Sequence, residues 1–287
     1  FLVWASRTDG SFRAGLRYLI IQVASGVLLL AGIALLAGER GSAALVFDNL
    51  WDRFQEGTAG FWPVTLILVA FGIKAAFPLL HNWLQDTYPE ATVTGTVWLS
   101  AFTTKLSIYA LARGFAGADC LVWIGAGMTV FPIFYAVIEN DLRRVLAYSL
   151  NNQLGFMVVG IGVGTELALN GVAGHAFAHL LYKALLFMSM GAVLHRTGTI
   201  KASELGGLYK SMPFTAVCCI IGAASISGFP LLSGFVTKSL TLTAVAEAHL
   251  GLAFFGLLFA SAGVMEHSGI KIPFFAFFAH DSGKRPK

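Results

Sequence analysis

Charge is what this sequence has least of. Lys, Arg, Asp and Glu make up 12% of its 287 residues, about half the roughly 25% usual in soluble domains. A soluble chain of this length needs far more charge to cover its surface, so a soluble globular class is excluded. Cysteine is scarce as well. Cys120, Cys218 and Cys219 give neither a disulfide framework nor a metal-ligand spacing, and the adjacent pair lies in an apolar run, where small core- or lipid-facing residues are expected. No opening stretch combines basic, apolar and small-residue regions as a signal peptide does. The net charge of +4 is spread over several loops, unlike a nucleic-acid patch. No flavin, iron–sulfur or nucleotide signature is present, and no cofactor is expected. Gly160-Ile-Gly-Val-Gly164 follows no strand and sits in an apolar run, so close helix packing through small residues is expected there instead of a phosphate loop. The chain opens on Phe1 and ends in Asp281-Ser-Gly-Lys-Arg-Pro-Lys287 with no closing helix. A single membrane domain lacking sequence at both ends is the expectation.

What the sequence has in quantity is apolar length. Hydrophobic residues make up 56%, in runs separated by short polar stretches. Eight spanning segments are expected, at about 16–37, 61–80, 91–113, 121–138, 145–165, 170–194, 213–244 and 248–270. Each is long enough, at about 18 residues or more, to cross the roughly 30 Å hydrocarbon layer. The seventh is too long for one straight helix and contains Ser227-Gly-Phe-Pro-Leu-Leu-Ser-Gly234; the second carries Pro78 four residues after Lys74. Breaks at membrane depth persist only where protein or water satisfies the freed backbone groups, and they often mark transport sites. Alternating sides along the spans puts twelve basic residues on one side, among them Arg143, Arg144, Arg196 and Lys201. The other side receives Arg40, Arg53 and Arg113. That asymmetry predicts cytoplasmic ends. Trp62, Trp83 and Trp123 fall near span ends, as expected of an interfacial aromatic belt.

Four lysines, Lys74, Lys105, Lys183 and Lys238, fall inside spans. A lysine at a helix centre costs roughly 2.5–3.5 kcal/mol, so four facing lipid while charged would cost on the order of 10–14 kcal/mol. They are expected to face a hydrated interior or to give up their protons, the behaviour of an ion or proton path; snorkelling to an interface is the bland alternative. The sixth span reads His175-Ala-Phe-Ala-His179-Leu-Leu-Tyr-Lys183. Residues at i, i+4 and i+8 share one helical face at about 6 Å per step. Histidine titrates near neutrality and passes protons, with bridging water at that spacing. A satisfied core pair and a zinc site are the competing readings, the latter lacking a third ligand nearby. Ser149, Asn151, Asn152 and Gln153 in the fifth span suit equally an internal water chain or interhelical hydrogen bonds. No acidic residue lies at the middle of any span. Glu266 is nearest, and Glu139 and Asp141 are in a loop.

These residues resemble a known family. Phe71-Gly-Ile-Lys-Ala-Ala-Phe-Pro-Leu-Leu-His-Asn-Trp-Leu-Gln-Asp86 is similar to the lysine-bearing broken seventh helix of the antiporter-like subunits shared by respiratory complex I and the multisubunit (Mrp-type) cation/proton antiporters. Asp141 to Ser149, His175 to Phe187, and Ser227 to Lys238 match as well. Ser149 to Gly155 and Gly269 to Phe278 look closest to the D-type subunit of Mrp antiporters. The resemblance implies an all-α bundle of fourteen helices with two inverted five-helix repeats. This chain would supply helices six to thirteen, with 1–113 the remainder of the first repeat and 121–270 the second. It implies that Lys74 is the ion-paired lysine of the first half-channel and Lys105 the connecting lysine. His175, His179 and Lys183 would be the central relay, and Lys238 the exit-side residue. The acidic partner of Lys74 would lie on a helix before Phe1. Gln85 stands where the family usually has proline, which bears on the segment after the break and not on Lys74. Glu266 maps to no family role.

The function expected is that of a proton-conducting subunit of a monovalent cation/proton antiporter in a bacterial inner membrane. Its partners would be other membrane subunits, the lipid bilayer, H⁺ and Na⁺ or K⁺, with no nucleic acid. A proton-pumping subunit of an NADH:quinone oxidoreductase is the alternative. A non-conducting scaffold is disfavoured by the four lysines. A solute permease is disfavoured because no charge pair for an organic substrate is visible.

Overall fold

The computed structural model describes residues 1–40, 46, 48–55 and 58–285, and these are helical with no β-strand. In chain order the helices are α1 (Asp9–Arg40), α2 (Leu50–Gln55), α3 (Thr58–Lys74), α4 (Asn82–Glu90), α5 (Val93–Trp98), α6 (Thr104–Gly114) and α7 (Asp119–Ile138). There follow α8 (Leu142–Val163), α9 (Glu166–Thr197), α10 (Pro213–Ser227), α11 (Ser233–Glu247) and α12 (Gly251–Val264). A π-helical stretch, Leu99–Thr103, joins α5 to α6, and π-helical turns at Met265–Ile270 and Phe274–Phe278 prolong α12. Among the described residues, four helices are long and apolar enough to cross a membrane: 9–38, 119–138, 166–197 and 251–278. The last runs well past the expected end at 270.

The ends are set by local chemistry. Asp141 caps α8, accepting from the Arg143 and Arg144 amides at 2.8 and 2.9 Å, which satisfies two of the amides a helix start leaves open. Thr165 caps α9 and Thr92 caps α5 in the same way. Pro213 opens α10, where its missing N–H costs nothing. Gly164 and Gly198, at φ +70° and +75°, stop α8 and α9 in the left-handed conformation glycine adopts most easily.

Both breaks are built alike. After α3, the Phe77 amide bonds back to Gly72 O and Ala76 takes φ +62°; after α10, the Phe229 amide bonds to Ala224 O and Gly228 takes φ +79°. Phe77-Pro-Leu-Leu80 and Phe229-Pro-Leu-Leu232 then each turn with a first-to-fourth hydrogen bond (2.9 and 3.1 Å) and a left-handed third residue, Leu79 or Leu231. That is a type II turn with proline in its favoured place and leucine where glycine is usual. The expected seventh segment is thus two half-helices, α10 and α11, whereas the second is α3 followed by the turn, with α4 beginning only at Asn82.

Nearly every residue of α8 is buried, and α9 lies centrally while α1 lies at the periphery: 56% and 17% of their apolar stretches are buried. Glycine lets α7 and α8 touch. A Cβ on Gly155 would lie 2.7 Å from the backbone of Gly125 and Thr129, and one on Gly162 would lie 2.5 Å from the Val122 amide. The Gly160–Gly164 run therefore serves helix packing, as expected.

One face of the bundle gathers the connections. The Leu142 amide bonds to Ile200 O and the Ala202 amide to Asn140 O. Arg143 donates to the carbonyls of Pro89 and Ala91 at 2.8 and 2.9 Å and bonds Thr96. Lys210 pairs with Asp281 at 3.5 Å, and Arg17 with Asp86. The basic loops carrying Arg143, Arg144, Lys201, Lys210 and Lys284 thereby share one face. Of the residues in the predicted charge asymmetry, Lys287 and the side chains of Arg40 and Arg53 lie outside the described residues.

One expectation is corrected. Trp62 and Trp123 are exposed, as belt residues are, but Trp83 is fully buried and its indole donates to Ile73 O at 2.9 Å. It plugs the first break from inside, satisfying a carbonyl released near the end of α3, because α4 turns back into the bundle instead of running along an interface.

Candidate functional site

The four intramembrane lysines sit at places where the helical ladder is interrupted or crowded by polar groups. Lys74 is the last residue of α3. Its ammonium donates to Gln22 Oε1 of α1 at 2.8 Å beside a cavity of about 420 Å³ lined also by Tyr18, Thr103 and Ser107. Lys105, at the start of α6, bonds the Ser100 carbonyl in the π-helical stretch and lies 3.5 Å from Thr104 Oγ1. The neighbouring Leu99 carbonyl takes the Tyr88 hydroxyl at 2.9 Å. A π-turn shifts the register of the ladder, so its carbonyls are open to side chains. Lys238, six positions into α11, donates to Ile226 O just before the second break at 2.7 Å and reaches Ser261 at 3.3 Å. Its ammonium lies 5.5 Å from the Phe156 ring.

Lys183 differs. It is fully buried, and among the described residues its ammonium has no hydrogen-bond partner; the Phe187 ring lies 5.8 Å away. Among the described residues His179, one turn earlier, has neither ring nitrogen bonded, and His175 is bonded through Nδ1 alone, to Thr237 at 2.8 Å. The two imidazoles lie parallel, 6.0 Å between centroids and 5° between planes. The spacing of one helical turn therefore survives at the level of the rings, and it is too long for direct proton transfer. Tyr182 lies close to both, 5.3 Å from His179 and 6.4 Å from His175.

The charges that bear on His179 are those of Lys105, Lys183, His175 and Lys238. Those that bear on His175 are Lys238 and Lys105. The structure thus gathers Lys105, His175, His179, Lys183 and Lys238 from three helices into one buried row and leaves Lys74 apart, half-buried at its own cavity. Among the described residues no carboxylate pairs with any of the four lysines, and no group of three or more His, Cys, Asp or Glu stands close enough to hold a metal ion.

The polar run of α8 lies alongside. Ser149, Asn151, Asn152 and Gln153 are all fully buried. Asn152 donates to Thr129 O at 2.5 Å, Gln153 to Asn152 at 2.6 Å, and Tyr182 reaches Gln153 at 3.4 Å. Asn151 has neither amide atom bonded among the described residues. Part of the run is thus interhelical hydrogen bonding. Gln22, the neutral partner of Lys74, and Thr237 and Tyr182, which lie against the row, are not picked out by sequence: their place depends on which helices meet.

A second cavity, about 480 Å³, opens below the first break between Arg17, His81, Asp86, Tyr135 and Tyr148. The two cavities flank the end of α3 and the start of α4.

Residues 1–266 match the model of the NADH:quinone oxidoreductase/Mrp antiporter transmembrane family. This chain belongs to that family. Among the family's curated members, the chain is 32% identical over 250 residues to the D component of the Na⁺/H⁺ antiporter of Alkalihalophilus pseudofirmus, covering 83% of this chain and 50% of that one. It is 33% identical over 250 residues to the N component of the NADH-quinone oxidoreductase of Desulforudis audaxviator, with the same coverage. In the solved structure of the Mrp complex from Dietzia sp., one chain superposes on this family member with a TM-score of 0.88 at 28% identity, covering 96% of this chain and 52% of that one. The chain therefore spans about half the length of these relatives. It is a membrane protein of the family, with the all-α fold of Mrp antiporter-type membrane subunits.

Proposed function

We propose that this chain is the proton-conducting part of a subunit in a multisubunit monovalent cation/proton antiporter, with the path running through Lys74, Lys105, His175, His179, Lys183 and Lys238. The observation that carries the reading is the buried row itself: five basic side chains from α6, α9 and α11, four of which bear electrostatically on His179, with neutral oxygens as the hydrogen-bond partners of Lys105, His175 and Lys238. Like charges in a poorly solvated interior disfavour one another. A proton arriving on one member therefore promotes departure from the next, which is the behaviour a relay needs. Parallel imidazoles 6.0 Å apart suit transfer through intervening water.

The shared construction of the two breaks supports reading 1–113 as the remainder of one repeat and 121–270 as its inverted counterpart. Lys74 precedes the first break and Lys238 reaches back to the second. The gathering of basic loops on one face supports a cytoplasmic location for that face, under the positive-inside rule, and for both ends of the chain in a bacterial inner membrane. The partners are other membrane subunits, with H⁺ and Na⁺ or K⁺ as the ions moved.

Lys74→Ala in the full-length subunit, in vesicles holding the assembled complex, abolishes cation-coupled proton movement while assembly persists. Unchanged antiport in that variant overturns the reading. The identity to a component of an NADH-quinone oxidoreductase, as high as that to the antiporter component, supports the second reading of a redox-driven proton pump. NADH-driven acidification that depends on this subunit, without any Na⁺- or K⁺-induced pH change, selects the second over the first.

A further inference from the structure

The cavity below the first break carries charge of both signs and one buried amide with nothing to bond. It measures about 480 Å³ and lies between α1, α4, α7 and α8, within the roughly 300–1,000 Å³ usual for small-molecule sites. Gln85 lines it and is 4% exposed, and among the described residues neither atom of its side-chain amide has a hydrogen-bond partner. Burying an amide unbonded is costly, so the cavity suits an occupant with polar groups of its own.

The start of α4 forms part of the wall. His81, at the capping position, lines the cavity together with Asn82 and Gln85. His81 gives the helix no side-chain cap, so first-turn amides stay open to an anion, which the helix dipole favours at that end. Arg17 of α1 lines the same space and adds a guanidinium, whose forked donors match phosphate oxygens.

A simple anion does not suit the whole cavity, because Asp86 also lines it and pairs with Arg17. A simple cation meets Arg17 instead. A zwitterion satisfies both, with its anionic group on Arg17 and the α4 amides and its cationic group on Asp86. Tyr135 and Tyr148, stacked with centroids 5.7 Å apart, add aromatic walls, which attract an alkylammonium.

The cavity has a polar end and an apolar end. α4 ends at the basic-loop face, where Arg143 holds Pro89 O at 2.8 Å, so Asp86 lies nearer that face than Leu79 does. Leu79 lines the cavity and is 90% exposed, and Phe134 and Ile138 of α7 are exposed as well. Charge outermost and apolar surface deeper is the order of groups along a phospholipid.

We propose that this cavity binds a zwitterionic phospholipid whose headgroup carries a primary ammonium. Its phosphate sits on Arg17, Gln85 and the start of α4, its ammonium on Asp86, and its acyl chains run over Leu79 and the outer face of α7. The lipid thereby ties α1 and α4 to α7 and α8 beside the break. The inference rests on the membrane fold and not on the proton path.

The test uses the full-length subunit in its assembled complex, in phosphatidylglycerol vesicles doped with phosphatidylethanolamine that carries a photoreactive acyl chain. Irradiation labels residues 79–86 and 131–138. The same probe with a phosphatidylglycerol headgroup labels them several-fold less, and neither inorganic phosphate nor soluble phosphoethanolamine displaces the label. Gln85→Leu and Arg17→Gln each lower labelling several-fold, and Asp86→Asn removes the preference between the two headgroups. No label at these residues in the parent, or equal labelling by both headgroups, overturns the proposal. Displacement by inorganic phosphate or phosphoethanolamine overturns the lipid as occupant in favour of a soluble phosphate compound. Parent-level labelling in both Gln85→Leu and Arg17→Gln overturns the assigned contacts. Should Gln85→Leu fail to assemble, Arg17→Gln decides, since the Arg17 side chain is 60% exposed and its loss leaves no cavity in the core.

Discussion

His175 and Thr237 meet across α9 and α11, with the ring Nδ1 2.8 Å from the threonine hydroxyl. Thr237 immediately precedes Lys238, and its hydroxyl also lies 3.2 Å from Ser233 O within its own helix. One side chain therefore holds the His175 ring and ties it to the helix that carries Lys238.

Thr237→Val keeps the shape and removes that hydroxyl. The loss of one net hydrogen bond costs about 1 kcal/mol, too little to unfold the subunit. Proton movement in vesicles falls several-fold because His175 is no longer oriented towards α11. A wild-type rate in Thr237→Val contradicts the link.

Gln22 is the partner of Lys74, and it is neutral. Gln22→Glu places a carboxylate at that position and holds the ammonium charged, since an opposite charge at contact favours the charged form. The expected outcome is slower proton release and a lower rate in vesicles, with Gln22→Leu lowering it by loss of the contact instead. A rate unchanged in both variants shows that the contact is idle.

Ala76 occupies the left-handed position at the end of α3 that Gly228 fills after α10. A residue with a Cβ pays roughly 1–2 kcal/mol there, and glycine's greater freedom in the unfolded chain returns part of the gain. Ala76→Gly therefore stabilises by about 0.5–1 kcal/mol, read as a raised midpoint of thermal unfolding in detergent. A lowered midpoint contradicts the account of the break.

The helix pattern is legible from composition and apolar length, and so are the two breaks, because proline and glycine act locally. The buried row is legible from spacing: His175, His179 and Lys183 share a face whatever surrounds them. Trp83 reads as a belt residue from its position along the chain, whereas its burial depends on α4 folding back against α3. Gln22 is invisible in the sequence because it belongs to another helix.

Gly155 and Gly125 face each other where α7 and α8 touch. Gly155→Leu forces the backbones apart. Overpacking of this kind costs typically 1–3 kcal/mol, and here it also displaces Asn152 from Thr129. The expected outcome is a lower yield of assembled complex, measured by native electrophoresis. A normal yield contradicts the close approach.

The closing segment carries a pH prediction. Arg285, donating to Asp281 at 2.8 Å, and then the Gly283 amide at 2.9 Å, hold the Asp281 carboxyl below the usual carboxylate range, with Lys210 adding to the effect. A depressed carboxylate contributes stability above its unfolded pKa, and that contribution is lost only as pH falls through the lower folded value. The segment, anchored also by the Ser282 amide on Gly206 O, stays docked as pH falls through about 4, the ordinary aspartate range. A spin label at Ser282 remains immobile over that interval in the parent protein and is mobile at neutral pH in Asp281→Asn. Release of the label near pH ~4 in the parent contradicts the assignment.

The central claim is that protons pass through the buried lysine–histidine row, and Lys183 is its least compensated member. The most direct measurement is the rate of cation-driven proton movement in vesicles carrying the assembled complex with Lys183→Ala in the full-length subunit. The account predicts loss of movement with assembly retained. Movement at the wild-type rate contradicts it.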